Sequence, residues 1–264
     1  MKKPKFLVIG EAFKDIYSIS TSTRQSPEAD CPVANPTEFL TFPGGAMNVW
    51  ENLKALGTPS TILLQDTPLS EKIRIVVNGK QLVRIDVNDK VLPFLFSDLS
   101  IAASWQPDAI IISDYGKGMF APHVIEEIGK TFPTLPFFID TKQDPDKFDS
   151  LGSARFWFPN TKEYTEYDEA YLYLGMIDTV IWKRSEKGMI LCAGVDCRGF
   201  ASKATSIVNV SGAGDTVIAA WAYKYMQNFD TWEASTFAMR AAAVVCAKPY
   251  TATATLEEIN SICN

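Results

Sequence analysis

The chain has 264 residues, 47% of them hydrophobic and 21% charged, the make-up of an ordinary globular protein rather than a disordered or fibrous one. Its 25 basic and 31 acidic side chains leave a formal charge of −6. That disfavours a protein that wraps nucleic acid, because neutralising phosphates requires a basic surface. The length suits one large domain or two small ones, and no apolar run approaches the roughly 18 residues of a membrane span.

Lys2, Lys3 and Lys5 precede the first apolar run, Phe6-Leu-Val-Ile, but Glu11, Lys14 and Asp15 end it too soon for a signal peptide. A cytoplasmic protein is expected. Phe6–Ile9 is predicted as a strand, and residues 17–42, rich in Ser, Thr and Pro, as a further strand or a loop. Ala46–Leu56 carries a helical pattern and Ser60–Leu64 a strand. Lys72–Val77, Asn78-Gly79 and Lys80–Asp86 then read as an antiparallel hairpin, because both residues of Asn-Gly tolerate positive φ.

Strands are predicted at Ala109–Ile112, Pro136–Ile139, Arg155–Phe158 and Thr179–Trp182, with helices at His123–Thr131 and Glu163–Leu174 between them. The strand runs are short, often β-branched and without alternation, as strands of a parallel sheet buried on both faces read. The order is that of a wound α/β domain with a small β appendage. The five cysteines, at 31, 192, 197, 246 and 263, lack zinc-knuckle spacing, so structural or incidental roles and a reducing compartment are expected. The single histidine, His123, opens a helix and is a poor candidate for a general base.

Chemistry concentrates in Asn209-Val-Ser-Gly-Ala-Gly-Asp-Thr216, which precedes an almost uniformly apolar helix. Gly212, Ala213 and Gly214 would let backbone N–H groups approach an anion at a helix N-terminus, and Asp215 could accept a proton there. The same residues could equally form a helix cap. The stretch is not a Walker A loop, and Gly10-Glu-Ala-Phe is not a dinucleotide fingerprint. A second glycine site, Pro43-Gly44-Gly45-Ala-Met-Asn48, opens the helix at 46, where Asn48 could serve a polyol. Asp15 follows the first strand, where α/β proteins bind ligands.

Together these segments resemble the ribokinase-like (PfkB) family of sugar kinases. Gly44-Gly45-Ala-Met-Asn48 is similar to its first signature, Ser211-Gly-Ala-Gly-Asp215 to its second, and Asn160-Thr-Lys-Glu163 to its Asn-x-x-Glu element. Thr179 to Met189 looks like the strand and turn bordering the nucleotide. The resemblance implies a ribokinase-like three-layer α/β/α sandwich with a mostly parallel sheet and a small β-sheet lid. It would form a single domain over 1–264, with lid segments near 17–42 and 72–87.

Thr23-Arg-Gln-Ser-Pro-Glu-Ala29, Ser113-Asp-Tyr-Gly-Lys-Gly118, Gln81–Asp86 and Ile139-Asp-Thr-Lys142 further resemble heptose-phosphate kinase domains. The implied reaction moves the γ-phosphoryl group of ATP to the anomeric hydroxyl of a heptose 7-phosphate. Asp215 would be the base, with Gly212, Ala213 and Gly214 as the anion hole. Asp15, Gly44, Gly45, Asn48 and Asp114 would bind the sugar, and Arg24, Lys72, Arg84 and Lys117 its phosphate. ATP would lie against Lys142, Asn160, Lys183, Gly188 and Ser211, with Mg²⁺ near Asn160 and Glu163.

The chain departs from the family's pattern at Asn209 (usually Asp), at Tyr250 (usually Gly, beside the nucleotide), at Trp50 (often small) and in a shortened stretch after residue 64. These departures leave open a catalytically weak sugar-phosphate-binding homologue, or a kinase for another sugar or a nucleoside. Pairing of exposed lid edges would allow a homodimer.

Overall fold

The computed structural model describes residues 3–167, 178–194 and 196–262. Eight strands form the main sheet: β1 (Phe6–Gly10), β4 (Ser60–Leu64), β7 (Ala109–Asp114), β8 (Pro136–Thr141), β9 (Ala154–Trp157), β10 (Thr179–Lys183), β11 (Met189–Ala193) and β12 (Asp196–Phe200). They lie in the order β12-β11-β10-β9-β8-β7-β1-β4. Neighbours from β4 to β10 pair in parallel, whereas β10, β11 and β12 are antiparallel. All six apolar runs read from the sequence lie in this sheet.

The lack of alternation has a simple cause. Phe6 and Val8 of β1, Ala109 and Ile111 of β7, and Phe138 of β8 face one core. Leu7, Ile9, Ile110, Ile112, Phe137 and Ile139 face the other. Helices cover both faces, so both sides of each strand are apolar. α1 (Ala46–Ala55), α5 (Ala213–Asn228) and α6 (Thr231–Cys246) pack on the first face, and α2 (Phe96–Ser104) and α3 (Pro122–Thr131) on the second. α7 (Leu256–Ser261) joins the first layer through Ile259. α4 is described over Thr161–Tyr167, and the rest of the helix expected to reach Leu174 lies outside the described residues.

A second sheet forms the lid from β2 (Ala12–Thr21), β3 (Asn35–Gly45), β5 (Ser70–Val77) and β6 (Lys80–Val87), in the order β3-β2-β5-β6. The β5–β6 hairpin turns at Asn78 and Gly79, with φ of 49° and 81° as Asn-Gly demands. The lid is not wholly antiparallel, because β2 and β5 pair in parallel. It is also wider than segments 17–42 and 72–87. The chain passes through Glu11 from one sheet directly into the other. Asp15 therefore lies on a lid strand rather than in a loop after β1.

The cysteines and the histidine can now be placed. Cys192 and Cys197 are not incidental: they are cross-strand partners in the β11–β12 hairpin and form a disulfide. Their separation of five residues places them in register once the chain turns back on itself. His123 is exposed on α3 against Phe96, with ring centroids 6.2 Å apart. Among the described residues, no helix is long and apolar enough to cross a membrane.

Candidate active site

Gly212 ends the loop before α5 with φ of 78°, and a Cβ there would stand 2.4 Å from Asn48 Nδ2. Only glycine satisfies both demands, and it lets the starts of α5 and α1 meet. Asn48 Nδ2 donates to Asp215 Oδ2 at 2.9 Å and to the Gly212 carbonyl at 3.3 Å. Tyr115 Oη donates to Asp215 Oδ1 at 2.9 Å. Asp215 is thus a buried carboxylate with one donor on each oxygen. Burial pushes its pKa up to about 6; the hydrogen bonds of Asn48 and Tyr115 oppose that rise, nearby Asp140 adds to it, and Lys183 counters it.

Asn48 does not stand free for a polyol, because its amide is taken up by the start of α5. Ala213 differs from expectation as well, since its N–H turns back to the Val210 carbonyl at 3.2 Å. Gly214 stays in the first turn of the helix, where N–H groups have no intrahelical partner. Ser211 N–H donates to Asn209 Oδ1 at 2.7 Å, so Asn209 shapes the loop that delivers Gly212.

Beside Asp215 opens a cavity of about 550 Å³. Asp140, Lys142, Asn160, Lys183, Gly188 and the start of α5 line one part, and Ile207, Val210, Met239, Ala242 and Ala243 line another. Lysines balanced by carboxylates, together with apolar side chains, give such a cavity partners for the phosphates and the base of a nucleotide. Gly188 has φ of 83°, and any Cβ would clash with the Phe200 carbonyl at 2.0 Å. Lys183 pairs with Asp140, and Lys142 with Glu163. Burial pulls the Lys142 ammonium down, but Asp140 and Glu163 outweigh it and hold its pKa above the ordinary value.

Glu163 also accepts from Asn160 N–H at 2.8 Å and from Asn160 Nδ2 at 2.6 Å, while Asn160 Oδ1 accepts from Glu163 N–H at 3.0 Å. The Asn-x-x-Glu element is therefore a reciprocal cap on α4. Asp140 Oδ1 is buried and bonded to nothing among the described residues. A hard cation carrying most of its own waters fits such an oxygen, with Asn160 and Glu163 nearby. Among the described residues, no group of three or more His, Cys, Asp or Glu forms a closed metal cage.

The lid contributes the other wall. Register places Asp15 beside Lys72, Tyr17 beside Arg74, and Arg74 opposite Arg84, on one face of the sheet. Asp15 is buried, pairs with Arg74 at 2.5 Å and accepts from Thr251 Oγ1 at 3.4 Å. Lys72 Nζ lies 3.4 Å from the centroid of Phe13 and 4.9 Å from that of Tyr115. Burial lowers its pKa to about 8; Asp15 and Asp215 support its charge, whereas Lys117 and Arg84 oppose it. Lys117 pairs with Asp89, Arg84 pairs with Asp86 at 2.8 Å, and Arg24 stands on the exposed loop between β2 and β3.

Gly44 and Gly45 carry β3 into α1. A Cβ at Gly44 would meet the Phe13 ring at 2.1 Å, and one at Gly45 the Glu11 carbonyl at 2.3 Å. Asp114 faces protein donors throughout: Thr141 Oγ1 at 2.5 Å, Gly116 N–H at 2.8 Å and Gln143 Nε2 at 3.0 Å. It braces a turn instead of opening toward a sugar. Tyr250, expected beside the nucleotide, packs on the lid: its ring stacks on Phe42 with centroids 5.1 Å apart and meets Tyr17 at 5.0 Å.

Tyr115, Glu11, Asp140 and Arg74 enter the site without having stood out in the sequence. Glu11 is fully buried and accepts N–H bonds from Tyr115, Lys117 and Met119 at 2.8–3.1 Å, fixing the turn that presents Tyr115. Glu11, Asp140 and Tyr115 all lie at carboxyl ends of parallel strands, a positional signal available once the strands are assigned. Arg74 follows Lys72 by two residues in a strand and so shares its face.

Residues 154–259 match the family described as pfkB family carbohydrate kinase. The Bifunctional protein HldE of a Nitratiruptor species is 29% identical over 302 residues, covering 97% of this chain and 64% of that protein. HldE of Vibrio vulnificus is 30% identical over 299 residues, covering 96% and 62%. The chain thus spans less than two thirds of these relatives. The 302 aligned positions also exceed its own 264 residues, so it is shorter than the Nitratiruptor relative within the matched region.

Among solved structures, Arabidopsis thaliana ribokinase complexed with ribose and ATP superposes with a TM-score of 0.73 at 16% identity, covering 99% of each chain. Escherichia coli phosphofructokinase-2 in complex with substrates and products gives 0.73 at 14% identity, covering 98% of each. At such identities the likeness establishes the fold. Residues 154–259 thus match the pfkB carbohydrate kinase family, and the chain as a whole adopts a ribokinase-like α/β fold.

Proposed function

We propose that the chain is an ATP-dependent kinase of a phosphorylated sugar, with the anomeric hydroxyl of a heptose 7-phosphate as acceptor. The observation that carries the kinase reading is Asp215. It is a buried carboxylate held on both oxygens at the start of α5, beside a cavity of nucleotide size. With a pKa near 6 it is ionised at neutral pH yet basic enough to take a proton. Asp215 accepts the proton of the acceptor hydroxyl as that oxygen bonds to the γ-phosphorus of ATP. The bond from that phosphorus to its bridging oxygen breaks, and ADP leaves.

Asn48 and Tyr115 aim the carboxylate, and the N–H of Gly214, at a positively polarised helix end, meets charge on the transferring group. Lys183 and Lys142 face the phosphates. Magnesium, which when bound neutralises phosphate charge, would be held by Asp140 and, through water, by Asn160 and Glu163.

The lid supports an acceptor that is itself anionic. Lys72 and Lys117 are both partly withdrawn from solvent, and Lys72 feels the repulsion of Lys117 and Arg84. Asp89 and Asp86 already pair with Lys117 and Arg84, and a phosphate dianion would add charge-assisted acceptors for Lys72. The HldE relatives add the heptose class to this reading. The test is a transfer assay with ATP and Mg²⁺ against heptose 7-phosphate, fructose 6-phosphate, ribose and adenosine, with the product position read by ³¹P NMR. Transfer to the heptose phosphate at the highest kcat/KM is expected. No transfer to any acceptor would overturn the kinase reading, and preference for ribose or adenosine would overturn the acceptor class.

A further inference from the structure

A second cavity, of about 440 Å³, lies between α5, α6 and α7, with Tyr223, Lys224, Trp232, Thr236, Arg240 and Asn260 in its wall. It shares no lining residue with the nucleotide cavity, although α6 borders both. Its size lies within the range of small-molecule sites.

Its charges do not balance. Lys224 Nζ pairs with Glu233 at 3.0 Å, and Glu233 also accepts from Asn228 Nδ2 at 2.7 Å, so these two side chains satisfy each other. Arg240 is different. Its Nε is buried and bonded to nothing among the described residues. Arg240 lines the cavity and forms no ion pair among the described residues, so its guanidinium can offer charge-assisted bonds to an arriving carboxylate or phosphate. Eight residues earlier on α6, in the same cavity wall, Trp232 is 50% exposed on an anchored ring, 4.7 Å from that of Phe200 and with Arg198 over it at 5.7 Å. An anchored flat apolar surface at one end of a cavity and an unpaired cation at the other are complementary to a ring bearing a negative group.

We propose that this cavity is a second ligand site, taking a small aromatic anion with its carboxylate or phosphate on Arg240 and its ring against Trp232. The test uses 1-anilinonaphthalene-8-sulfonate as probe, titrated into the full chain by calorimetry and fluorescence, with and without saturating ADP. One equivalent that persists in ADP is expected. Arg240→Met should weaken it at least tenfold, and Thr236→Trp, which fills the cavity and leaves the charge, should abolish it. Circular dichroism checks that each variant is folded. Phenyl phosphate and benzoate should displace the dye, whereas phenol should not.

The proposal is overturned if the wild-type chain binds no equivalent in the presence of ADP, a result that needs no variant. It is equally overturned if both variants bind as the wild type does, or if phenol competes as well as the anions do.

Discussion

Asp215→Asn separates what the carboxylate does for chemistry from what it does to stability. The folded chain holds this proton up to a pH of about 6, whereas an ordinary aspartate releases it near 3.8. Between those values the native state binds more protons than the unfolded one, so stability falls as pH rises, and above about 6 the full penalty is in place. The interval corresponds to about 3 kcal/mol as an upper bound. Asparagine is neutral at every pH and can keep both partners. Its oxygen accepts from Asn48, and its amide donates to Tyr115 once that hydroxyl rotates.

The variant should therefore lose about 10²- to 10⁴-fold in kcat, the usual worth of a general base. It should also be more stable than the wild type at pH 8 by up to about 3 kcal/mol, with most of that gain gone by about pH 4. Urea unfolding of both chains at intervals from about pH 4 to pH 8, alongside the transfer assay, measures the two effects independently. A variant less stable than wild type at that upper pH, or a difference that does not change with pH, would refute the burial argument. Undiminished turnover would refute the role of the base.

Further outcomes follow from the same geometry. The acid limb of kcat/KM should have a midpoint near pH 6, and Tyr115→Phe should move it upward, because the lost hydrogen bond stabilised the ionised carboxylate; a pH–rate profile of both chains checks this. Lys72→Met should raise KM for a phosphorylated acceptor by about 10- to 100-fold, the value of a charge-assisted contact, and leave an unphosphorylated analogue unaffected in parallel steady-state assays. In the wild type that KM should climb as pH passes about 8, where Lys72 loses its proton. Gly212→Ala should destabilise the chain by about 1–3 kcal/mol in denaturant titrations, and displace Asn48 enough to lower kcat more than it raises KM, since its Cβ would stand 2.4 Å from the amide that aims the base.

Much of the sheet is legible in the sequence because parallel strands buried on both faces leave short apolar runs, and each run from Phe6 to Trp182 finds its place. The hairpin is equally plain, since Asn78-Gly79 can do little else. Asp215 and its glycines are visible as a local string. What escapes is everything long-range. Tyr115 is 100 residues from Asp215, and Glu11 is 104 residues from the N–H it anchors. No local pattern records such a meeting. The place of Asp15 on a lid strand escapes for a related reason, because nothing at Glu11 announces that the chain leaves one sheet for another. Metal spacing says nothing useful about Cys192 and Cys197, whose pairing a hairpin register decides. The sequence neighbours of Tyr250 point to the nucleotide, but its ring follows Tyr17 and Phe42.

The passage of β3 into α1 has a mechanical consequence. Gly45 is the last residue of a lid strand and also the cap of the helix that holds Asn48, and the Ala46 N–H is pinned to the Glu11 carbonyl at 3.0 Å. There is no slack between the two elements. Any rotation of the lid sheet about Glu11 and Gly45 would therefore carry the first turn of α1 with it, and with that turn the amide that donates to Asp215.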